Sequence, residues 1–338
     1  MTDAAERAAR VRRGAGWFER SDRGLIVVGG ADRVRWTQGM VSNDVASLSP
    51  DPARSGCYAL LLTAKGRIVA DLHVLHREQA LWLEVAGSVT EDVLAHLDRL
   101  LIADDVSLTD ARGTFHHAAL EGPRAEEILS RAAGREVAIA ADCCAELELG
   151  GVATTVGAWG WSGELAYQLI APAAGAAAVR DAIFGAAAEG GLASESAETL
   201  EVLRVEAGVP RFPAELGLDV LPSETGLVGR AVSLTKGCYT GQEIVARMES
   251  RDAAAHRLVG LAFADEGAVG VGRVGPGSAI ESEDGVRIGE ITSACRSQRA
   301  GAIALGYVRR ANAGPGAEVR VDGEKARVAA LPFVGPSA

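Results

Sequence analysis

Apolar positions along this chain follow two rhythms, one repeating every second residue and one every third or fourth, and the two alternate through roughly its first two-thirds. The run GLIVVGG at 24–30 reads as a strand, and the mixed spacing from 32 to 40 as a helix. Strands follow at 58–63 and 68–76, joined by the turn AKGR, with another at 81–85, so this part predicts a hairpin-rich antiparallel sheet. Thr90 is placed to cap a helix running to about 101, with Glu91 and Asp92 complementing the positive end of its dipole. A second helix opens at Pro123, where a missing N–H is harmless, and carries Ile128 and Leu129 as its apolar stripe. Strands at 153–156 and 166–170 precede an Ala-rich helix ending near 190, and a further helix at 198–208 is stopped by Gly208 and Pro210. About 27 residues of little regular pattern then lead to Lys236, and loops of that length in a compact domain are usually functional. From His256 onward short apolar runs are punctuated by EDG, ANAGPG and VDG, a turn density that predicts a small β-barrel or sandwich. The pattern is therefore α+β, with a core at 1–255 and a β-barrel domain at 256–338.

Composition narrows the function classes. With 338 residues and 48% apolar content the chain can bury ordinary cores, and no run reaches the roughly 18 apolar residues that span a bilayer. The first residues, MTDAAERAARVRRGAGW, lack a secretory apolar stretch and read as a solvated helix. A formal charge of −11 argues against direct nucleic-acid binding, which needs a basic face. Five cysteines without framework spacing fit a reducing compartment, and the expected location is the cytoplasm. Only Lys65, Lys236 and Lys325 among the 34 basic residues are lysines, and the first two precede a glycine, where a compact ammonium suits the site better than a guanidinium fork.

The densest chemistry lies in KGCYTGQEIVARM. Gly237 and Gly241 bracket Cys238, so the backbone can turn tightly and bring the thiol to a surface, and Lys236 and Arg247 are cations placed to favour its thiolate. No permanent metal site is expected: Cys143 and Cys144 are vicinal, His73 and His76 diverge on a strand, and no H-E-x-x-H or paired C-x-x-C is present. GVGRVG at 270–275 has the spacing of a dinucleotide loop but runs into Pro276 and Gly277, which marks a turn.

The octapeptide KGCYTGQE, comprising Lys236, Gly237, Cys238, Tyr239, Thr240, Gly241, Gln242 and Glu243, resembles the signature of the YgfZ-type branch of the GcvT-like folate-binding proteins. LRVEAGVPRF at 203–212, LPSETGL at 221–227 and the later segments GEITSA, ALGYVRR and LPF are similar to that family too, so the likeness runs from about Leu25 to Phe333. It implies an α+β fold of three subdomains in a ring around a central channel that holds tetrahydrofolate or a related reduced folate, closed by a C-terminal β-barrel. The matching stretch KGRIVADLHV implies that Asp71, at the second of two acidic positions in the aminomethyltransferase branch, stands beside the reactive folate nitrogens, with Ala70 at the first. WSGELAYQ matches a pterin-binding pattern, which implies folate contacts for Trp161, Glu164 and Gln168. Gln168 replaces a glutamate and brings hydrogen bonds without charge, Leu200 replaces an arginine and Ala86 an asparagine.

The function implied by the resemblance is a folate-binding accessory protein that supports assembly or repair of iron–sulfur clusters in client enzymes, tRNA-modifying radical enzymes among them, with Cys238 and Asp71 as its working residues. The alternative is an enzyme, a tetrahydrofolate-dependent aminomethyltransferase or demethylase. Neither reading involves a membrane or direct contact with nucleic acid.

Overall fold

The chain lays one strand, Ala15–Glu19, into a first sheet, leaves it to build a second, and then returns to the first. A computed structural model describes residues 3–188, 190–270 and 273–337, so Val271 and Gly272 of the GVGRVG run lie outside the described residues. The second sheet is wholly antiparallel and runs in the order Gly56–Leu62, Ile68–His76, Leu81–Ala86, Arg23–Gly29, Ser107–Asp110. The first runs Leu192–Glu195, Ala15–Glu19, Phe115–Glu121, Ala166–Pro172, Val152–Gly157, Cys144–Leu149, and only its Leu192–Glu195 edge is parallel to its neighbour. Six strands starting at His256–Phe263 close into the expected barrel.

Two helix starts differ from expectation. Thr90 is the first residue of helix Thr90–Asp98, and its hydroxyl donates back to the Ala86 carbonyl at 3.4 Å while Val89 takes the cap position. Pro123 stands in the turn ahead of helix Ala125–Ala133, which ends at left-handed Gly134. Helix Ala197–Ala207 is capped by the Ser196 hydroxyl, which accepts from the Thr199 N–H at 3.3 Å, and it stops at left-handed Gly208 as expected.

The irregular stretch before Lys236 contains two one-turn helices, Pro222–Thr225 and Val228–Ala231. It is anchored because Leu227, Ala231 and Val232 bury against Tyr58, Leu60 and Leu62 of the second sheet. The three bodies share one core, in which Phe18 and Trp159 of the first sheet region meet Leu25 and Leu75 of the second, Leu203 of the helix, and Cys295 and Leu305 of the barrel. Among the described residues no helix is long and apolar enough to cross a membrane.

Candidate functional site: a buried acid between the sheets

Strand alternation places Tyr58, His73 and Glu84 in one cross-strand row of the second sheet, with Asp71 two residues from His73 on the same face. That face turns towards the first sheet, where the Trp159 ring stacks on His73 at 4.0 Å. Asp71 is buried, and its Oδ2 accepts a hydrogen bond from the Tyr58 hydroxyl at 3.0 Å, while its Oδ1 is buried without a partner. Arg23 lies within electrostatic reach of Asp71 and forms a two-pronged pair with Glu84. Asp142, from the first-sheet side, accepts from His73 Nε2 at 3.1 Å and from both Nε and Nη2 of Arg230.

Electrostatics set the charge states of Glu84, Asp142 and Tyr58. Burial alone would raise the Glu84 pKa, but the charge and hydrogen bonds of Arg23 and the neighbouring His73 hold it well below the usual carboxylate range. Asp142 is held low in the same way, its burial outweighed by Arg230 and His73. Burial and the neighbouring Asp71 charge push the Tyr58 phenol well above its ordinary value, so Tyr58 is a protonated donor across the working range. The face thus carries one buried carboxylate oxygen, Oδ1 of Asp71, that no protein donor reaches.

The residues predicted from WSGELAYQ separate. Trp161 borders the site: Arg20 and Arg23 lie over its ring at 3.9 and 5.2 Å, and it lines a cavity of about 350 Å³ together with Phe18, Asp22, Leu200 and Arg204. Gln168 is buried and donates from Nε2 to the Trp159 carbonyl at 2.9 Å, which steadies the backbone of the ring stacked on His73. Glu164 is a correction, because its carboxylate is committed to Arg12 at 2.7 Å and to the Ser337 N–H at 2.9 Å. A carboxylate so engaged ties chain ends together and is not free for a pterin.

The KGCYTGQE loop docks on the tip of the AKGR hairpin. Gly241 adopts φ +84°, and a Cβ there would stand 2.7 Å from the Thr63 carbonyl oxygen. Gly66 of the hairpin in turn faces Ile244 of helix Gln242–Arg251, which Gln242 and Glu243 open. Gly237 has open space where a Cβ would stand, so only one of the two bracketing glycines is sterically required. Tyr239 is buried with Tyr58 and Val245, and Cys238 is exposed.

The expected activation of Cys238 by Lys236 is corrected. The Lys236 ammonium turns inward and donates to the carbonyls of Gln38, Val41 and Asn43 at 2.5, 2.7 and 2.8 Å. Burial lowers its pKa to about 8, against which three carbonyl oxygens match the three protons of an ammonium. That geometry explains why a lysine stands here among so many arginines. Arg247 is exposed on the following helix, and among the described residues no hydrogen bond or ion pair joins it to the thiol.

Sequence reasoning missed Tyr58, His73, Glu84, Asp142, Arg23 and Arg230. Glu84 carried a signal, since LWLEVA places a carboxylate amid apolar neighbours on both sides of a strand. Asp142 carried none, because its partners lie 69 and 88 residues away. Among the described residues no group of three or more His, Cys, Asp or Glu side chains could hold a metal ion.

Fold and site together define a two-sheet protein, closed by a barrel, with a buried acid on the face between its sheets. The GCVT N-terminal domain matches residues 1–236, and the glycine cleavage T-protein C-terminal barrel domain matches residues 256–335. The chain belongs to this GcvT-like family. It is 32% identical over 332 residues to the aminomethyltransferase of Geobacillus kaustophilus, covering 96% of this chain and 88% of that one. The aminomethyltransferase of Moorella thermoacetica is 32% identical over 337 residues, covering 97% and 88%. The solved glycine cleavage system aminomethyltransferase T from Bartonella henselae superposes with a TM-score of 0.86 at 22% identity, covering 98% of this chain and 90% of that one, a likeness of fold.

Proposed function

We propose that the protein binds a reduced folate, tetrahydrofolate or a close derivative, against the face carrying Asp71 and uses it to accept a one-carbon group as an aminomethyltransferase. The observation that carries this reading is the Asp71 carboxylate, buried, gripped through Oδ2 by Tyr58 and left without a partner at Oδ1. An unpaired buried acceptor costs about 1–3 kcal/mol, which a ligand N–H would relieve. The rings of Tyr58, His73 and Trp159 add flat apolar surface next to it. The bound folate would supply a nitrogen that takes up the one-carbon unit. Asp71 would balance positive charge developing beside it, in buried surroundings where the Tyr58 hydroxyl holds its orientation. The relatives named aminomethyltransferase support this reading over an accessory role.

The test is incubation of the pure protein with tetrahydrofolate and an aminomethyl-lipoyl carrier protein, following methylene-tetrahydrofolate and ammonia. Asp71→Asn is expected to lower turnover by about 10²–10⁴. A wild-type protein that forms no methylene-tetrahydrofolate would defeat the transfer reading. A second reading, a cytoplasmic folate-binding factor that supports iron–sulfur client enzymes, is favoured by one observation: Cys238 stands exposed on a loop braced by Lys236 and Gly241. It expects Cys238→Ala to fail to restore iron–sulfur enzyme activity in cells lacking the protein, and full restoration would sink it.

A further inference from the structure

The Tyr58 hydroxyl donates to Asp71 Oδ2 at 3.0 Å, and two groups pack against the ring that carries it. The Arg230 guanidinium lies 4.5 Å from its centroid, and the His73 ring lies 4.9 Å away, tilted by 44°. One carboxylate grips both groups: Asp142 accepts from Arg230 Nε at 2.9 Å and from His73 Nε2 at 3.1 Å. Asp142 itself sits at φ +62°, a left-handed conformation uncommon for a residue other than glycine, fixed by its N–H donating to the Ala158 carbonyl at 3.0 Å. Gly56 lies under it, where a Cβ would approach the Asp142 carbonyl oxygen to 2.4 Å. The Trp159 ring stacks on His73 at 4.0 Å, so moving either Arg230 or His73 away from Tyr58 means stretching a contact to Asp142.

We propose that Asp142 is a positioning residue for Asp71, acting through Tyr58: it locks the two groups that clamp the tyrosine ring, and the tyrosine hydroxyl aims the carboxylate. This rests on the reading of Asp71 as the acid beside the folate. A residue that merely ties two sheets together would act on stability alone, whereas a positioning residue acts on catalysis only while the Tyr58 hydroxyl is present.

Asp142→Asn keeps the size and tolerates the left-handed backbone but removes the charge. It is expected to lower kcat for one-carbon transfer about tenfold, with KM for the carrier changed less than about twofold, because the effect passes through Tyr58 to the reacting acid. Tyr58→Phe should give a similar loss, and Asp142→Asn added to Tyr58→Phe should lower kcat no further. An additive loss in the double variant would overturn the proposal. A second measurement is independent of turnover. The chain has four tyrosines, so in protein labelled at tyrosine ¹³Cζ the Tyr58 resonance is assigned by its absence from Tyr58→Phe. That resonance should shift in Asp142→Asn and shift likewise in Asp71→Asn. An unmoved Tyr58 signal in Asp142→Asn would overturn the proposal even if folate bound, and failure of the wild type to bind reduced folate would defeat the functional reading while this second result still judged the clamp.

Discussion

Glu121 is completely buried, and its carboxylate accepts the backbone N–H groups of Trp161 at 3.2 Å and Ser162 at 2.8 Å. It anchors the loop that carries Trp161 to the edge of the site. Burial raises its pKa, and the Ser162 hydrogen bonds and the Arg20 charge reverse this only in part. A carboxyl whose folded pKa lies above its unfolded value near 4.5 favours the folded state when protonated. Its contribution is complete below that unfolded value and is lost as pH rises through the folded one. Glu121→Gln stays neutral at every pH and still offers an acceptor, so it should raise the melting temperature by a few degrees at neutral pH, with the gain vanishing at about pH 4. Thermal melts of both proteins across that range check the sign, and a variant less stable than wild type at neutral pH would show that the charged form is the stabilising one.

Among the elements, the loop at 236–241 and the hairpin Gly56–Leu62 to Ile68–His76 form one unit, because each brings a glycine against the other. Gly241→Ala puts a side chain into a left-handed backbone and against the Thr63 carbonyl, at a cost of about 1–3 kcal/mol. Gly237→Ala meets open space and should stay within about 0.5 kcal/mol of wild type. Urea denaturation of the two variants compares them directly, and equal losses would mean that the loop is not docked on the hairpin as described. This hairpin was legible in the sequence, since alternation and the AKGR turn mark both strands and the bend between them. The barrel was legible for a similar reason, its turns being written in Gly, Asp and Asn. Strands Ala15–Glu19, Phe115–Glu121 and Leu192–Glu195 carried no such punctuation and owe their existence to pairing with one another across the sheet. The site was legible only at Asp71, where family resemblance supplied the position. Its supporting row was hidden because charged side chains inside strands find partners through register and tertiary contact. Glu164 was misread for the same reason, its partner Arg12 lying 152 residues away.

At the scale of the whole molecule, one acid joins the bodies. Glu206, in helix Ala197–Ala207, accepts from Arg12 Nε at 2.7 Å and from the Ser297 hydroxyl of the barrel. Its backbone carbonyl also accepts the Val334 N–H at 3.0 Å, so the C-terminal segment crosses back over the same point. Arg12 reaches on to Glu164, which in turn holds Ser337. With the apolar core shared among both sheets and the barrel, this arrangement predicts a single cooperative unfolding event. All five tryptophans, at positions 17, 36, 82, 159 and 161, precede the barrel, so the bulk of their fluorescence change follows the sheets. Amide exchange of strand Gly301–Arg309 reports on the barrel. The two signals should change at the same denaturant concentration in the wild type. Glu206→Ala leaves the Arg12 charge buried with half its partners and removes the link to Ser297, a loss of about 3–5 kcal/mol that should fall on the joint. In that variant the barrel strand should exchange before the tryptophans respond. A wild-type barrel that already opens first would mean that the shared core does not couple the bodies, and that the face carrying Asp71 keeps its shape without the barrel.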